Sequence, residues 1–405
     1  MESEMSKKAY VHSTKHPCTE NAMNMNAIKR WYAANGWQIT AAPADADIII
    51  VSTCGFSKEQ EDYEIGVIEK FGREKKDGCE LIVTGCLPAI NKDRLQSVFQ
   101  GRTVPTSKLE NFNDIMNFTS KIENFETHFV TENEYNTDPK ISRFFRARKF
   151  FEKFSFLPFV SVPKILYTVP SEKWYCVRAA MGCTGNCSYC AIKNAHGPIK
   201  SDPLKTIVAQ AKKGIEIGYR EIALTGEDLG GYGVDLKTDL SELLNELVCL
   251  PGNFKINLRF IDPYWLHKLR DKLVPSFKTG KIKAFCAPAQ SGSNRILKSM
   301  NRRYTFEQIK ETVNYIIEKT GVEMISTNII VGFPGETEED FYQSMRLVDE
   351  VKHEMYMVFK YERRPDTKAA AFENHVPQDE IDRRYDIMHR AVVRKHLKNL
   401  IFGVK

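Results

Sequence analysis

The chain has 405 residues, room for two or three domains with sizeable cores. Hydrophobic residues make up 42% and charged residues 27%, and a mean hydropathy of −0.38 leaves no run near the ~20 apolar residues that span a bilayer. Membrane-spanning, disordered and disulfide-miniprotein classes are thereby excluded. The net charge of +6 allows a polyanionic partner without requiring one. The polar start from Met1 to Lys8 has no apolar stretch behind it, which argues against a secretory signal and for a cytoplasmic address.

Three apolar runs near the amino terminus, Tyr10 to Ser13, Ile48 to Ser52 and Leu81 to Thr84, alternate with helix-like segments. Those segments lie near Ala22 to Asn35, Glu59 to Lys75 and Lys92 to Phe99, and the β-α-β-α-β-α order predicts a parallel sheet. Cys54 and Cys86 stand just past the carboxyl ends of the second and third runs, and Cys18 a few residues past the first. Ligand sites of open α/β sheets form outside those ends, so the topology makes neighbours of three thiols distant in sequence. Any one of them alone reads as a small buried core residue. Three at successive strand ends read as a site.

Residues 124–170 read as a linker. Within it RFFRARKFFEKFSFLPF, Arg143 to Phe159, is basic and aromatic. It fits an amphipathic helix on a partner or membrane surface, or a helix folded back over the domains.

Ten cysteines in a chain without an export signal are expected to be reduced, so those that cluster read as metal ligands or catalytic thiols. The segment GCTGNCSYC carries Cys183, Cys187 and Cys190. A structural zinc site wants four closed ligands. Three thiolates instead suit a cubane iron–sulfur cluster with one iron left to chelate a small molecule. Downstream, EIALTG reads as a buried parallel strand, and the glycines of LTGEDLGGYG, Leu224 to Gly233, let backbone approach a ligand. PAQSGSNRILKSMNRRYT follows at Pro288 to Thr305. Ile325 to Val331 then predicts a strand, Gly332, Pro334 and Gly335 a turn, and Glu336 to Asp340 an acidic helix start favoured by the macrodipole. Gln378 to Leu400 predicts a basic amphipathic helix. Cys79, Cys176, Cys249 and Cys286 read as buried structural cysteines, with a pocket role as the alternative for Cys286.

The CxxxCxxC spacing resembles that of the radical S-adenosylmethionine (SAM) enzymes. Joined with QSGS, IIVGFPGETEEDF and FKYERRPDTKAAAF, in order over nearly the whole chain, it makes the sequence resemble the methylthiotransferases of the MiaB and RimO group. The resemblance implies an α/β protein. A Rossmann-like parallel-sheet domain over 1–123 precedes a partial (β/α)6 TIM-type barrel over 171–405, with the last helix packed under the barrel. It implies two [4Fe–4S] clusters, one on Cys183, Cys187 and Cys190 and an auxiliary one on Cys18, Cys54 and Cys86. SAM contacts are implied for Tyr189, Gly226, Glu227, Gln290, Ser291, Gly332, Phe333, Pro334 and Gly335, with no catalytic residue beyond the cluster ligands. In the family one SAM methylates a sulfur on the auxiliary cluster. Another yields the 5′-deoxyadenosyl radical, so that C–H becomes C–S–CH₃ on a tRNA, peptide or protein. A reductant such as flavodoxin or ferredoxin is implied as a partner.

Departures from the family bear on substrate. His196 and Asp202 stand where arginines are expected, Lys193 replaces a proline, Asn328 an aspartate and Cys286 a histidine. The sequence ends at Lys405, where the family continues into a TRAM module implicated in tRNA binding. Fewer cationic contacts tilt the expectation toward a peptide or protein substrate, with Arg143 to Phe159 as a docking surface that could equally hold RNA. Two other readings stay open. A different radical SAM reaction would use the auxiliary cluster for electron transfer and need it fully ligated. A non-catalytic iron–sulfur carrier or redox-sensing protein would need neither QSGS nor GFPGE.

Overall fold

The computed structural model describes residues 6–14, 18–125, 129–130, 174–322 and 324–402, so the Arg143 to Phe159 run lies outside the described residues. The chain forms two compact units. The first comprises Met1–Phe129 with Cys190–Pro198 and Arg364–Asp366, and the second the remainder.

The first unit is built on five parallel strands, β1 (Lys8–His12), β2 (Gln38–Ile39), β3 (Ile48–Thr53), β4 (Glu80–Gly85) and β5 (Arg102–Pro105), in the order 2-1-3-4-5. The three apolar runs are β1, β3 and β4. The strands β2 and β5 add to them, too short and polar to stand out in sequence. Alternate side chains of β3 feed two cores: Ile48 and Ile50 join Ala9, Ile82, Val104 and Trp31 on one face, and Ile49 and Val51 join Val83, Ile68 and Phe71 on the other. Burial on both faces is why β3 reads as an unbroken apolar run. Helix α1 (Thr19–Ala34) starts at Cys18, whose Sγ accepts from the Asn21 N–H, and helix α2 (Lys58–Glu74) starts at Ser57, whose hydroxyl accepts from the Gln60 N–H. In this strand order the direction of winding reverses between β1 and β3, the position at which doubly wound sheets bind ligands.

In the second unit six strands of a seven-stranded sheet are hydrogen-bonded in chain order, all parallel: β6 (Trp174–Arg178), β7 (Glu221–Thr225), β8 (Lys255–Phe260), β9 (Ile282–Cys286), β10 (Met324–Val331) and β11 (Met355–Lys360). Helices Leu204–Glu216, Leu240–Cys249, Pro263–Lys278, Phe306–Thr320 and Glu338–Glu350 make the crossovers, giving an open (β/α)6 array. Val177, Leu224, Leu258, Phe285 and Ile325 share one core with Ile207, Leu244, Leu269, Val313 and Leu347 from the helices. The last helix, Gln378–Phe402, adds Met388 and Val392 to that core, as its amphipathic pattern predicts. Cys249 departs from expectation. It is exposed, because its helix buries Leu240, Leu243, Leu244 and Leu247 and residue 249 falls on the opposite face. Cys79, Cys176 and Cys286 are buried. Among the described residues no helix is long and apolar enough to cross a membrane.

His353, just ahead of β11, is buried, neither ring nitrogen has a hydrogen-bond partner among the described residues, and burial pushes its pKa down to about 3. The unfolded chain binds the proton near pH 6.5 while the folded chain resists it, so stability is lost as pH falls below 6.5. At ~1.4 kcal/mol per pH unit this is about 2 kcal/mol by pH 5. The apoprotein's urea midpoint should drop between pH 7 and 5, and that of His353→Leu should drop visibly less. Parallel pH profiles would assign the acid loss to other groups.

Candidate functional site

Past β6 the chain turns at Gly182, where φ is 79°, into the loop that carries the three clustered cysteines. Glu227, two residues past β7, accepts the Gly182 N–H at 2.7 Å and ties the start of this loop to the neighbouring strand. The side of Gly185 is bare because two sulfurs approach it: a Cβ there would lie 3.3 Å from Cys183 Sγ and 3.7 Å from Cys187 Sγ. Its N–H donates to Cys183 Sγ at 3.2 Å. Farther along, the Ser188 N–H donates to Met300 O at 3.0 Å and its hydroxyl to Ser299 O at 2.9 Å, fixing the loop against the Asn294–Ser299 helix.

A buried polar network surrounds these thiols. Arg302 donates from Nη1 to Cys187 Sγ at 3.1 Å, from Nε to the Tyr304 hydroxyl at 2.6 Å and from Nη2 to Pro288 O at 3.2 Å, and it pairs with Asp262 at 3.1 Å. Asp228 Oδ2 lies 3.8 Å from Cys183 Sγ and accepts from Thr184 Oγ1 at 2.9 Å, which in turn accepts from Trp265 Nε1 at 2.9 Å and Arg303 Nη2 at 3.2 Å. Burial, reinforced by Asp262 beside it, pushes the Asp228 carboxyl up. None of this network was assigned a role from sequence. Arg302 and Arg303 lie in the Pro288 to Thr305 segment, where nothing in the sequence distinguishes them from surface arginines.

The residues expected to meet SAM divide by environment. Tyr189 is half-buried and meets Phe333 edge-on at 6.4 Å, in an apolar cluster with Ile296, Met300 and Tyr361. Gly226 sits where a Cβ would come within 2.9 Å of Ala180 O. Gln290 has a left-handed backbone, φ 67°, held by its N–H on Asn328 O and its carbonyl on the Ile330 N–H, both at 2.8 Å. Its side-chain Oε1 is buried with no partner among the described residues. The Ser291 hydroxyl, by contrast, is engaged with Ser344 at 2.9 Å. Gly332 and Gly335 both have φ 77°, as a tight turn after β10 requires, and the Cβ of any other residue at 332 would collide with Ile381. The expected helix start at Glu336 is corrected to Glu338, with Thr337 as its cap. Glu336 stays outside because its carboxylate is buried, accepting the Gly332 N–H at 2.8 Å and pairing with Arg384 at 2.9 Å. Within the second unit, burial pushes the Cys286 thiol up to about 11, and its Sγ lies 3.8 Å from Asn328 Oδ1. That is the setting of an unreactive thiol.

In the first unit Cys54 directly follows β3, Cys86 directly follows β4, and Cys18 caps α1. Thr53 O gathers all three ends: it accepts the Cys86 N–H at 2.9 Å and Asn21 Nδ2 at 3.3 Å, while the Asn21 N–H reaches Cys18 Sγ at 3.4 Å. A Cβ at Gly85 would strike Thr53 O at 2.2 Å, so only glycine lets β3 and β4 end this close. Cys86 Sγ lies 3.5 Å from His196 Nε2, and Ala191 and Ala195 pack on Cys86 and Ile90. Glu64 is fully buried beside Cys54. It accepts from Thr14 and, at 2.7 Å, from Gln60 Nε2, and burial pushes its carboxyl up to about 7. Burial likewise pushes the Cys54 thiol up. Arg364 donates to Gly55 O at 2.9 Å and pairs with Glu61. Glu64, His196 and Arg364 were not assigned to this site from sequence. Among the described residues no three His, Cys, Asp or Glu side chains are grouped as for a single metal ion. Ligands of a cluster each take a different iron and need not converge on one point.

An open (β/α)6 array with a three-cysteine loop after its first strand is the architecture of a radical SAM protein. Residues 178–348 match the radical SAM superfamily, and residues 10–104 match the uncharacterized protein family UPF0004. The radical SAM methyltransferase TsrM from Kitasatospora setae shares the fold at a TM-score of 0.62 and 12% identity, over 90% of this chain and 77% of that one. The ribosomal protein uS12 methylthiotransferase RimO of Clostridioides difficile is 32% identical over 92% of this chain and 79% of its own length. RimO of Geobacter sulfurreducens is 32% identical over 94% and 81%. A probable threonylcarbamoyladenosine tRNA methylthiotransferase of Pyrococcus horikoshii is 29% identical over 95% and 83%. The chain belongs to the radical SAM methylthiotransferases, a family of enzymes that use SAM and two [4Fe–4S] clusters.

Proposed function

We propose that Cys183, Cys187 and Cys190 hold the SAM-cleaving cluster, that Cys18, Cys54 and Cys86 hold the auxiliary one, and that the protein replaces an unactivated C–H of a peptide or protein by C–S–CH₃. The observation that carries this is the second set of thiols. Cys54 and Cys86 directly follow β3 and β4, Cys18 caps α1, and hydrogen bonds tie all three to the backbone at Thr53; such a set would supply a cluster site that SAM cleavage alone does not need. The donor sets fit: N–H groups of Gly185 and Arg302 already point at thiols, and the buried Gln290 Oε1, without a partner among the described residues, offers an acceptor to a polar ligand. When bound, these groups would supply the electron, the radical and the methylated sulfur.

The protein's own residues do the positioning. Glu227 and Ser188 hold the two ends of the cysteine loop, Gly332 to Gly335 shape the turn behind Tyr189, and the apolar cluster around Phe333 keeps water from that side. An external one-electron donor of the flavodoxin or ferredoxin kind would serve as reductant.

The peptide preference rests on cationic positions that are filled otherwise. His196 is turned onto Cys86, and residue 202 is an aspartate. A second reading, tRNA, is favoured by the Pyrococcus horikoshii relative, named for threonylcarbamoyladenosine in tRNA. The test incubates reconstituted enzyme, SAM and dithionite with a uS12-derived peptide or with bulk tRNA, followed by mass analysis. Gain of one methylthio group on the peptide is the expected result. Methylthiolated adenosine in the RNA digest, with binding that falls steeply with salt, would instead establish the second reading.

A further inference from the structure

We propose that Arg302 sets the reduction potential of the SAM-cleaving cluster by giving one guanidinium N–H to the Cys187 thiolate. The inference rests on the reading that Cys187 is a cluster ligand.

Arg302 is buried, its side chain 6% exposed, and a guanidinium there stays charged. Its plane is pinned on every edge. Nε is held by the Tyr304 hydroxyl at 2.6 Å, Nη2 by Pro288 O at 3.2 Å and by Asp262 at 3.1 Å, and Tyr304 itself donates to Pro288 O at 3.1 Å. Nη1 is left to face Cys187 Sγ at 3.1 Å. This is short for a nitrogen–sulfur contact, and the fork geometry makes it the planned use of that edge rather than a chance approach.

Cys183 and Cys187 differ in what they face. Cys183 takes a neutral backbone N–H from Gly185 and has the Asp228 carboxyl 3.8 Å away, whereas Cys187 takes a cationic donor. A hydrogen bond from a buried cation withdraws electron density from the sulfur, and it stabilises the reduced cluster, which carries one more negative charge, more than the oxidised one. Arg302 therefore raises the potential and makes the cluster easier to reduce. Asp262, paired with the same guanidinium, moderates the effect. Arg302 is on this account a positioning and tuning residue that acts through Cys187.

The test uses the full chain carrying Cys18→Ala, Cys54→Ala and Cys86→Ala, so that a single cluster is observed, in an EPR-monitored redox titration. Arg302→Met should lower the reduced-to-oxidised ratio about tenfold at a fixed solution potential, which is ~59 mV for one electron. Arg302→Lys, a point charge without the fork, should fall between. Asp262→Asn keeps the helix cap on Tyr264 but removes the counter-charge, and should shift the ratio the other way. An unchanged midpoint in Arg302→Met at full iron content would overturn the proposal. If that variant fails to fold, an unchanged or lowered midpoint in Asp262→Asn would overturn it. A parent protein without any [4Fe–4S] signal would instead sink the ligand assignment beneath it.

Discussion

Anaerobically reconstituted protein should hold about eight irons, and the variant with Cys183, Cys187 and Cys190 all replaced by alanine about four, since each cubane carries four. The expectation of clean halving follows from the hydrogen-bond networks. Cys183 and Cys187 are surrounded by Asp228, Asp262, Thr184 and Arg302, whereas Cys18, Cys54 and Cys86 are gathered by Thr53, Asn21 and His196. No side chain serves both sets in these hydrogen bonds, so emptying one set leaves these donors of the other in place. Loss of reductive SAM cleavage should accompany loss of the first four irons. Full iron in that variant would show that the loop thiols are not ligands.

The parts of the site that sequence made legible are those with a fixed spacing or a fixed place on the topology. CxxxCxxC is local, so Cys183 and Cys187 could be paired before any fold was known. Cys54 and Cys86 could be placed because the IIIVST and LIVTG runs mark strand ends as plainly as any sequence can. What stayed hidden depends on contacts across more than a hundred residues. Arg302 lies 115 positions from Cys187 and His196 lies 110 from Cys86, and neither separation leaves a periodic or compositional trace. Glu64 was invisible for a different reason. On a helix rich in glutamate and lysine it reads as one more solvated charge, and only the packing of α2 against β3 shows that it is buried beside Cys54. His196 was noticed only as a missing arginine. Its contact with Cys86 gives that substitution a physical use, because an arginine there would bring a permanent charge and a longer side chain to the same thiol.

Replacing Cys18, Cys54 and Cys86 with alanine should take methylthiolated product to background while leaving 5′-deoxyadenosine formation from SAM readily measured. The argument is again one of partners. The alanines remove the three thiols around Thr53, but they leave untouched the Gly182 to Glu227 tether, the Gly185 N–H on Cys183 and the Arg302 fork on Cys187. Cys190 opens the segment that continues into the Ile192–His196 helix, and that helix rests Ala195 and His196 on Cys86. Truncating Cys86 to alanine deletes a sulfur from a packed contact, so the rate of SAM cleavage should fall modestly, by a few-fold, rather than vanish. His196→Ala on an otherwise intact chain should reproduce that modest fall without abolishing product. Methylthiolated product from the triple alanine variant would remove the auxiliary site as the source of sulfur, and complete loss of SAM cleavage in it would mean that the two sets of thiols act as one unit.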